Sequence, residues 1–305
     1  MTERGMTYHI PALAKETIEA LNIQPDGTYI DVTFGGGGHS RLIMEQLSEN
    51  GRLFGFDQDA DAYGNRIQDK RFQFVHGNFR YVRQFLHYYG VTQIDGLVAD
   101  LGVSFHHFDT ADRGFSFRFD GPLDMRMNQS GGMTAADIVN HYEEKQLETI
   151  FRLYGELQNA RNMAHAIVTS RAEKPILRTE ELAQIAEKHC RRDTEKKELA
   201  KVFQALRIET NDEMGALHDM LNAAKTLLKP QGRIAILTYH SLEDRMVKNF
   251  FRSGNIEGII EKDFYGNTLT PFRIVSNKPI TASEEEVTNN PRARSAKLRI
   301  AEKRQ

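Results

Sequence analysis

Tyr29-Ile30-Asp31-Val32-Thr33-Phe34-Gly35-Gly36-Gly37-Gly38-His39-Ser40 is the stretch on which the fold of this chain turns. A β-branched apolar run stops at four glycines and gives way to helical spacing through Leu42, Ile43, Met44 and Leu47. That is a strand, a tight turn and a helix in sequence. The same unit recurs downstream. Arg52 to Asp57, Phe72 to His76 and Ile94 to Asp100 read as further strands, with helices predicted from about Ala60 to Ile67 and Phe79 to Tyr89. Strands alternating with helices of this length imply a parallel sheet covered on both faces, an α/β fold.

At the end of the first strand of such a sheet, bare backbone lets a ligand approach the amides of a helix N-terminus. The dinucleotide fingerprint requires glycine at relative positions one, three and six. Counted from Gly35 the sixth position is Ser40, so the fingerprint is incomplete, and no Gly-Lys-Ser/Thr follows that would make a P-loop. Asp57 ends the second strand, where a carboxylate can accept both hydroxyl protons of a ribose. Asp100 ends the fourth, beside the crevice, where an acid can meet a ligand's ammonium group or an acceptor. Phe79 offers a ring to an adenine face. These residues fit an adenosyl cofactor, with S-adenosylmethionine and NAD both served. A helix-capping or surface aspartate and a core phenylalanine are the competing readings.

The rhythm changes after the fourth strand. From about Phe108 to Ala205 no strand is predicted, and Met133 to Tyr142, Glu144 to Tyr154, Gln158 to Arg171 and Thr179 to His189 read as helices. Asn211 to Leu228 then reads as a long helix, Ile234 to His240 as a buried strand and Leu242 to Phe251 as a helix. The layout expected is a discontinuous sheet domain, 1–107 with 206–305, holding a helical insert over 108–205. Two turn-rich runs, Asp112 to Phe117 and Gly121 to Met127, mix acids, arginines and aromatics in the manner of site loops. His240 falls at the carboxyl end of its strand, from which it could reach the crevice; a satisfied structural histidine is the competing reading.

Composition bounds the rest. The chain has 305 residues, 40% hydrophobic and 27% charged, which suits about two domains and a sizeable core. Its single cysteine, Cys190, excludes an internal disulfide framework and a multi-cysteine zinc site. Neither a leader-like h-region nor a membrane-length apolar run is present, so no membrane and a cytoplasmic location are expected. Net charge is −2, yet seven Lys/Arg against three Asp/Glu lie between Lys188 and Arg207, and the segment after Glu286 is basic. Local basic stretches on a near-neutral chain suit phosphate contacts or a solvated face.

Taken in order, these segments resemble the ribosomal RNA small-subunit methyltransferase H family over nearly the whole chain. His9-Ile10-Pro11-Ala12-Leu13, Asp31 to Ser40, Asp100 to Ser104, Arg113 to Phe117 and Pro122 to Met127 fall in family order. Phe203 to Ile208, His240 to Asp244 and Asn290 to Arg299 follow. The resemblance implies a Rossmann-like class I methyltransferase sheet domain with an inserted all-helical domain, the insert serving RNA recognition. It implies methyl transfer from S-adenosylmethionine to the exocyclic N4 of a cytidine in the decoding region of 16S rRNA, with no metal. The partner is then 16S rRNA or the small ribosomal subunit; a homodimer is left open.

The family's cofactor contacts carry over onto Gly37, Gly38, His39, Asp57, Phe79 and Asp100. A further contact falls on His107, where the family usually has glutamine. Gly155-Glu156-Leu157 stands for the family's Gly-Glu-Glu, and Lys197 to Lys201 occupies the place of its His-Pro-Ala-Thr-Arg. DNA amino-methyltransferases carry an Asp/Ser-Pro-Pro-aromatic motif after the fourth strand; Asp100-Leu101-Gly102-Val103 stands there instead. His240 and Asp124 are therefore the candidates to contact the target amino group. An NAD-dependent oxidoreductase, a non-catalytic RNA-binding assembly factor and a methyltransferase of proteins or small molecules are the alternatives.

Overall fold

The computed structural model describes residues 11–102 and 110–305. They divide into two compact units, one running through Gly102 and resuming over Gly215–Gln305, the other ending at Met214.

In the first unit five strands run parallel in the spatial order β3-β2-β1-β4-β5. They are β1 (Thr28–Asp31), β2 (Arg52–Asp57), β3 (Phe72–His76), β4 (Ile94–Asp100) and β5 (Leu228–Thr238). β8 (Lys297–Lys303) lies antiparallel beside β5, and β6 (Phe272–Ile274) and β7 (Ile280–Thr281) pair antiparallel with β8. Strand alternation sends Ile30, Leu97 and Ile234 to one face and Tyr29, Val98 and Ala235 to the other. The first face packs on α3 (Val82–Tyr88), α9 (Glu213–Leu227) and α10 (Ser241–Ser253); the second packs on α1 (Ala14–Leu21) and α2 (Gly38–Gln46). Burial on both sides is why these strands read as continuous apolar runs rather than alternating ones. The order reverses between β1 and β4, which opens a crevice at their carboxyl ends.

The second unit is helical. Its helices are α4 (Ala135–His141), α5 (Glu144–Leu153), α6 (Ala160–Glu173), α7 (Thr179–Glu187) and α8 (Glu195–Asn211). Thr134 opens α4 with a capping box closed by Asp137. Leu147, Ile150 and Phe151 form the stripe by which α5 enters the core, where Met163, Ile167, Leu182, Val202 and Leu206 are also buried.

Three sequence expectations change. The helix expected over Ala60 to Ile67 is a 3₁₀ segment, Ala60–Asn65, capped by Asp59. The long helix expected from Asn211 begins at Glu213, because Asp212 takes a left-handed conformation (φ 45°) that ends α8 first. The basic segment after Glu286 is no free tail. α11 (Glu284–Asn289) is followed by β8, whose Leu298 and Ile300 are buried and whose Arg299 pairs with Asp244 on α10 at 2.6 Å. Among the described residues no helix is long and apolar enough to cross a membrane.

Candidate active site at the carboxyl edge of the sheet

The turn after β1 is built from unequal glycines. Gly35 and Gly37 have positive φ (49° and 76°), which costs an L side chain strain. A Cβ on Gly37 would sit 2.6 Å from Arg41 and 2.8 Å from Phe34, and one on Gly38 would sit 2.8 Å from the Pro11 ring. Packing accounts for those two. Gly36 differs: a Cβ there meets nothing within 4 Å, so the turn presents bare backbone to open space. The Gly35 amide donates to Asp57 Oδ2 at 2.8 Å and the Asp59 amide to Oδ1 at 2.9 Å. Asp57 thus ties the turn after β1 to the end of β2.

Beside the turn stand two acids, Asp31 buried and Asp100 part-buried. Asp31, at the end of β1, accepts from the Ser40 hydroxyl at 2.6 Å and from the Thr33 amide at 3.1 Å. His39, on the first turn of α2, is 4% exposed; its Nδ1 lies 3.9 Å from Asp100 Oδ2, and its Nε2 is buried without a hydrogen bond. Asp100 Oδ1 accepts from the Tyr239 hydroxyl at 2.6 Å, and the Asp100 amide donates to Thr33 Oγ1 at 2.6 Å. Burial raises the Asp31 carboxyl against the opposing pull of His39. Burial likewise drives the His39 imidazole toward its neutral form, with the Asp31 charge resisting. Removal from water pushes Asp100 up to about 7 despite the Tyr239 hydrogen bond, with the Glu243 charge adding to the rise. Among the described residues no Lys or Arg reaches Asp31 or Asp100. A buried carboxyl, Asp31, and a part-buried one, Asp100, beside one imidazole that favours neutrality make a site that gains from a cation.

Gly37, Gly38, His39, Asp57, Phe79 and Asp100 thus all fall at the carboxyl ends of β1 to β4 in the one sheet unit. Phe79 opens a 3₁₀ turn after β3 and rests part-buried against the core. His107 lies outside the described residues. The strand expected through His240 stops at Thr238, and His240 is the N-cap of α10: its Nδ1 accepts from the Glu243 amide at 3.4 Å, and its Nε2 lies 3.1 Å from Glu243 Oε1. The ring is 9% exposed. Asp124 belongs to the helical unit. Arg126 grips both its oxygens at 2.8 Å, and although burial opposes this, the arginine holds the carboxyl below its ordinary range. The two turn-rich runs are largely packing elements: Phe115, Leu123, Met125 and Met127 are buried in the helical core, and Arg113 donates to the Arg126 and Met127 carbonyls. Sequence reasoning passed over Asp31, Ser40 and Tyr239. Asp31 alone left a trace, as a charge closing an apolar strand.

Five parallel strands, a reversed strand beside the fifth and a glycine turn set between strand-end carboxylates define an α/β methyltransferase. The chain belongs to the MraW methylase family, which it matches over residues 6–304. It is 59% identical over 304 residues to ribosomal RNA small subunit methyltransferase H of Bacteroides fragilis, covering 100% of both chains. The protein of that name from Flavobacterium johnsoniae is 49% identical over 298 residues, with 98% of each covered. Among solved structures, an rRNA methylase from Streptococcus thermophilus aligns with 96% of this chain and 94% of its own at 11% identity and a TM-score of 0.42, too distant to bear on the reaction. A methylase family removes the oxidoreductase reading.

Proposed function

We propose that this protein transfers a methyl group from S-adenosylmethionine to the exocyclic N4 of a cytidine in the decoding region of 16S rRNA, acting in the cytoplasm on the small ribosomal subunit or its RNA. The observation that carries the reading is the crevice in a chain matched by the family over residues 6–304: open backbone at Gly36 beside Asp57 and an under-compensated acid pair, Asp31 and Asp100. A ligand with ribose hydroxyls at one end and cationic groups at the other satisfies both.

Gly37 and Gly38 bring the α2 amides to the ligand, Asp57 receives the ribose hydroxyls, Phe79 covers the adenine and Asp100 faces the ammonium group. His39, beside Asp100 on the first turn of α2, and His107 complete the set of cofactor contacts. Bound there, S-adenosylmethionine supplies an electrophilic methyl carbon and a sulfide leaving group. The cytosine N4 lone pair is delocalised into its ring, so the protein contributes chiefly by alignment, which can supply roughly 7–11 kcal/mol. As the N4–C bond forms and the C–S bond breaks, N4 must lose a proton. Of the two candidates, His240 is the one we assign to the amino group, since it stands in the sheet unit that carries the cofactor residues, whereas Asp124 belongs to the helical unit and is engaged by Arg126. Full single-turnover methylation by His240→Ala with unchanged RNA binding removes that role.

The helical unit is assigned to RNA recognition. Lys188, Arg191, Arg192, Lys196 and Lys197 are exposed on it, whereas Arg207 is tied to Glu213. The target base must leave its stack to enter a crevice, which costs a few kcal/mol, so contacts to the surrounding RNA are required. The decisive experiment is methylation of small subunits from cells lacking the gene, followed by mass mapping. N4-methylation of a decoding-region cytidine is expected; no methyl transfer to subunits or rRNA overturns the reading in favour of an assembly factor.

A further inference from the structure

We propose that Tyr239 is a positioning residue of the cofactor site: its hydroxyl occupies one oxygen of Asp100, leaving the other turned to the ligand, and so governs how readily that carboxylate serves a cation. This rests on the reading that the crevice takes S-adenosylmethionine.

The geometry is specific. Tyr239 follows β5 directly, and β5 pairs with β4 so that Asp100 lies opposite Leu237. The phenol reaches across to donate to Asp100 Oδ1 at 2.6 Å, while Oδ2 points toward His39 at 3.9 Å, too far for a hydrogen bond. The base of the ring is fixed as well, because the Tyr239 amide donates to Glu243 Oε2 at 2.9 Å within the α10 capping box. A Cβ on Gly102 would touch the ring edge at 3.5 Å, so bare backbone lies along that side. Burial and the Asp100 charge drive the phenol far above its ordinary range, so it stays a donor at every working pH.

The charged and titratable groups around the pair come from every neighbouring element. Asp31 ends β1, His39 opens α2, Glu243 lies on α10 and Glu286 on α11. Asp31 and Glu243 oppose an anion at Asp100, and the neutral tendency of His39 gives it little help. The Tyr239 hydroxyl is the hydrogen-bond donor to its side chain among the described residues. Removing the hydroxyl while keeping the ring should make ionisation of Asp100 harder without opening a cavity.

The test is calorimetric titration of S-adenosylmethionine into wild type, Tyr239→Phe and Asp100→Asn between pH 5.5 and 9 (roughly the span needed to bracket a midpoint near 7), with a carboxyl-carbon NMR titration of aspartate-labelled protein without cofactor. Because a hydrogen bond to a carboxylate favours its ionised form, Tyr239→Phe should move the midpoint up by about one to two pH units in both measurements. Asp100→Asn should abolish the dependence, and Tyr239→Phe should add no shift on that background. An affinity lowered equally at every pH, or an unmoved NMR midpoint, means that Tyr239 merely packs and the proposal is wrong. If wild type binds no S-adenosylmethionine at any pH, the cofactor reading fails, while the NMR shift still decides the pairing itself.

Discussion

Gly36 and Gly37 are neighbours in one turn, yet an added methyl group meets opposite conditions at the two. At Gly37 it collides with Arg41 and Phe34 in a left-handed backbone; at Gly36 it enters open space. Gly37→Ala should therefore cost about 1–3 kcal/mol in chemical denaturation. Gly36→Ala should stay within about 0.5 kcal/mol of wild type yet weaken S-adenosylmethionine binding at least about tenfold, the equivalent of roughly 1.4 kcal/mol of steric exclusion. Intact affinity in Gly36→Ala would place the ligand away from this turn. Asp100 has its own signature. Its carboxyl holds a proton more tightly when folded than when unfolded, so it favours folding at low pH and that contribution is lost as pH rises from about 4 toward 7. Asp100→Asn should raise the cofactor-free melting temperature at pH 8 and remove most of the stabilisation that S-adenosylmethionine confers. Asp57 and Asp100 were legible because each closes an apolar strand beside a turn. Tyr239 was not, since its role exists only once β5 is known to lie beside β4.

Whole elements were legible where their pattern was carried by apolar residues. β1 to β4 announced themselves by short apolar runs, and β1, β2 and β4 are buried on both faces. α8 did not, because Glu195-Lys196-Lys197-Glu198 opens it and Lys201 interrupts the stripe of Leu199, Val202, Phe203 and Leu206 that enters the core. β8 was concealed in the same way: Lys297, Arg299, Glu302 and Lys303 made a strand look like a solvated tail. Those charges are largely paired. Arg299 and Lys297 meet Asp244, and Glu302 meets Arg233 and Arg273. Asp244→Ala leaves the 11%-exposed Arg299 side chain without its carboxylate, which should cost about 1–3 kcal/mol by urea denaturation. A loss below about 0.5 kcal/mol would mean that the pair is ornamental, as exposed ion pairs often are.

At the scale of the molecule, near-zero net charge hides a division of labour. The acids of the sheet unit converge on a crevice suited to a cationic ligand, and exposed lysines and arginines gather at the α7–α8 junction of the helical unit. Binding to rRNA should weaken steeply with salt, since each phosphate contact releases counterions. Reversing Lys196 and Lys197 to glutamate should flatten that slope and weaken RNA binding severalfold, while the S-adenosylmethionine affinity measured on the same protein stays unchanged. Equal loss of both would show that the charge pattern belongs to a single shared surface. A change of rhythm after Asp100 was legible in the sequence, but a face for RNA was not, because charge runs alone also describe ordinary solvated helices. The most direct measurement is a crystal structure of the protein with S-adenosylmethionine. The ribose hydroxyls should lie within hydrogen-bonding distance of Asp57, with the ammonium group against Asp100 Oδ2 and the backbone of Gly36 facing the ligand. The ligand found elsewhere, or a crevice that stays empty at saturating concentration, would contradict the assignment.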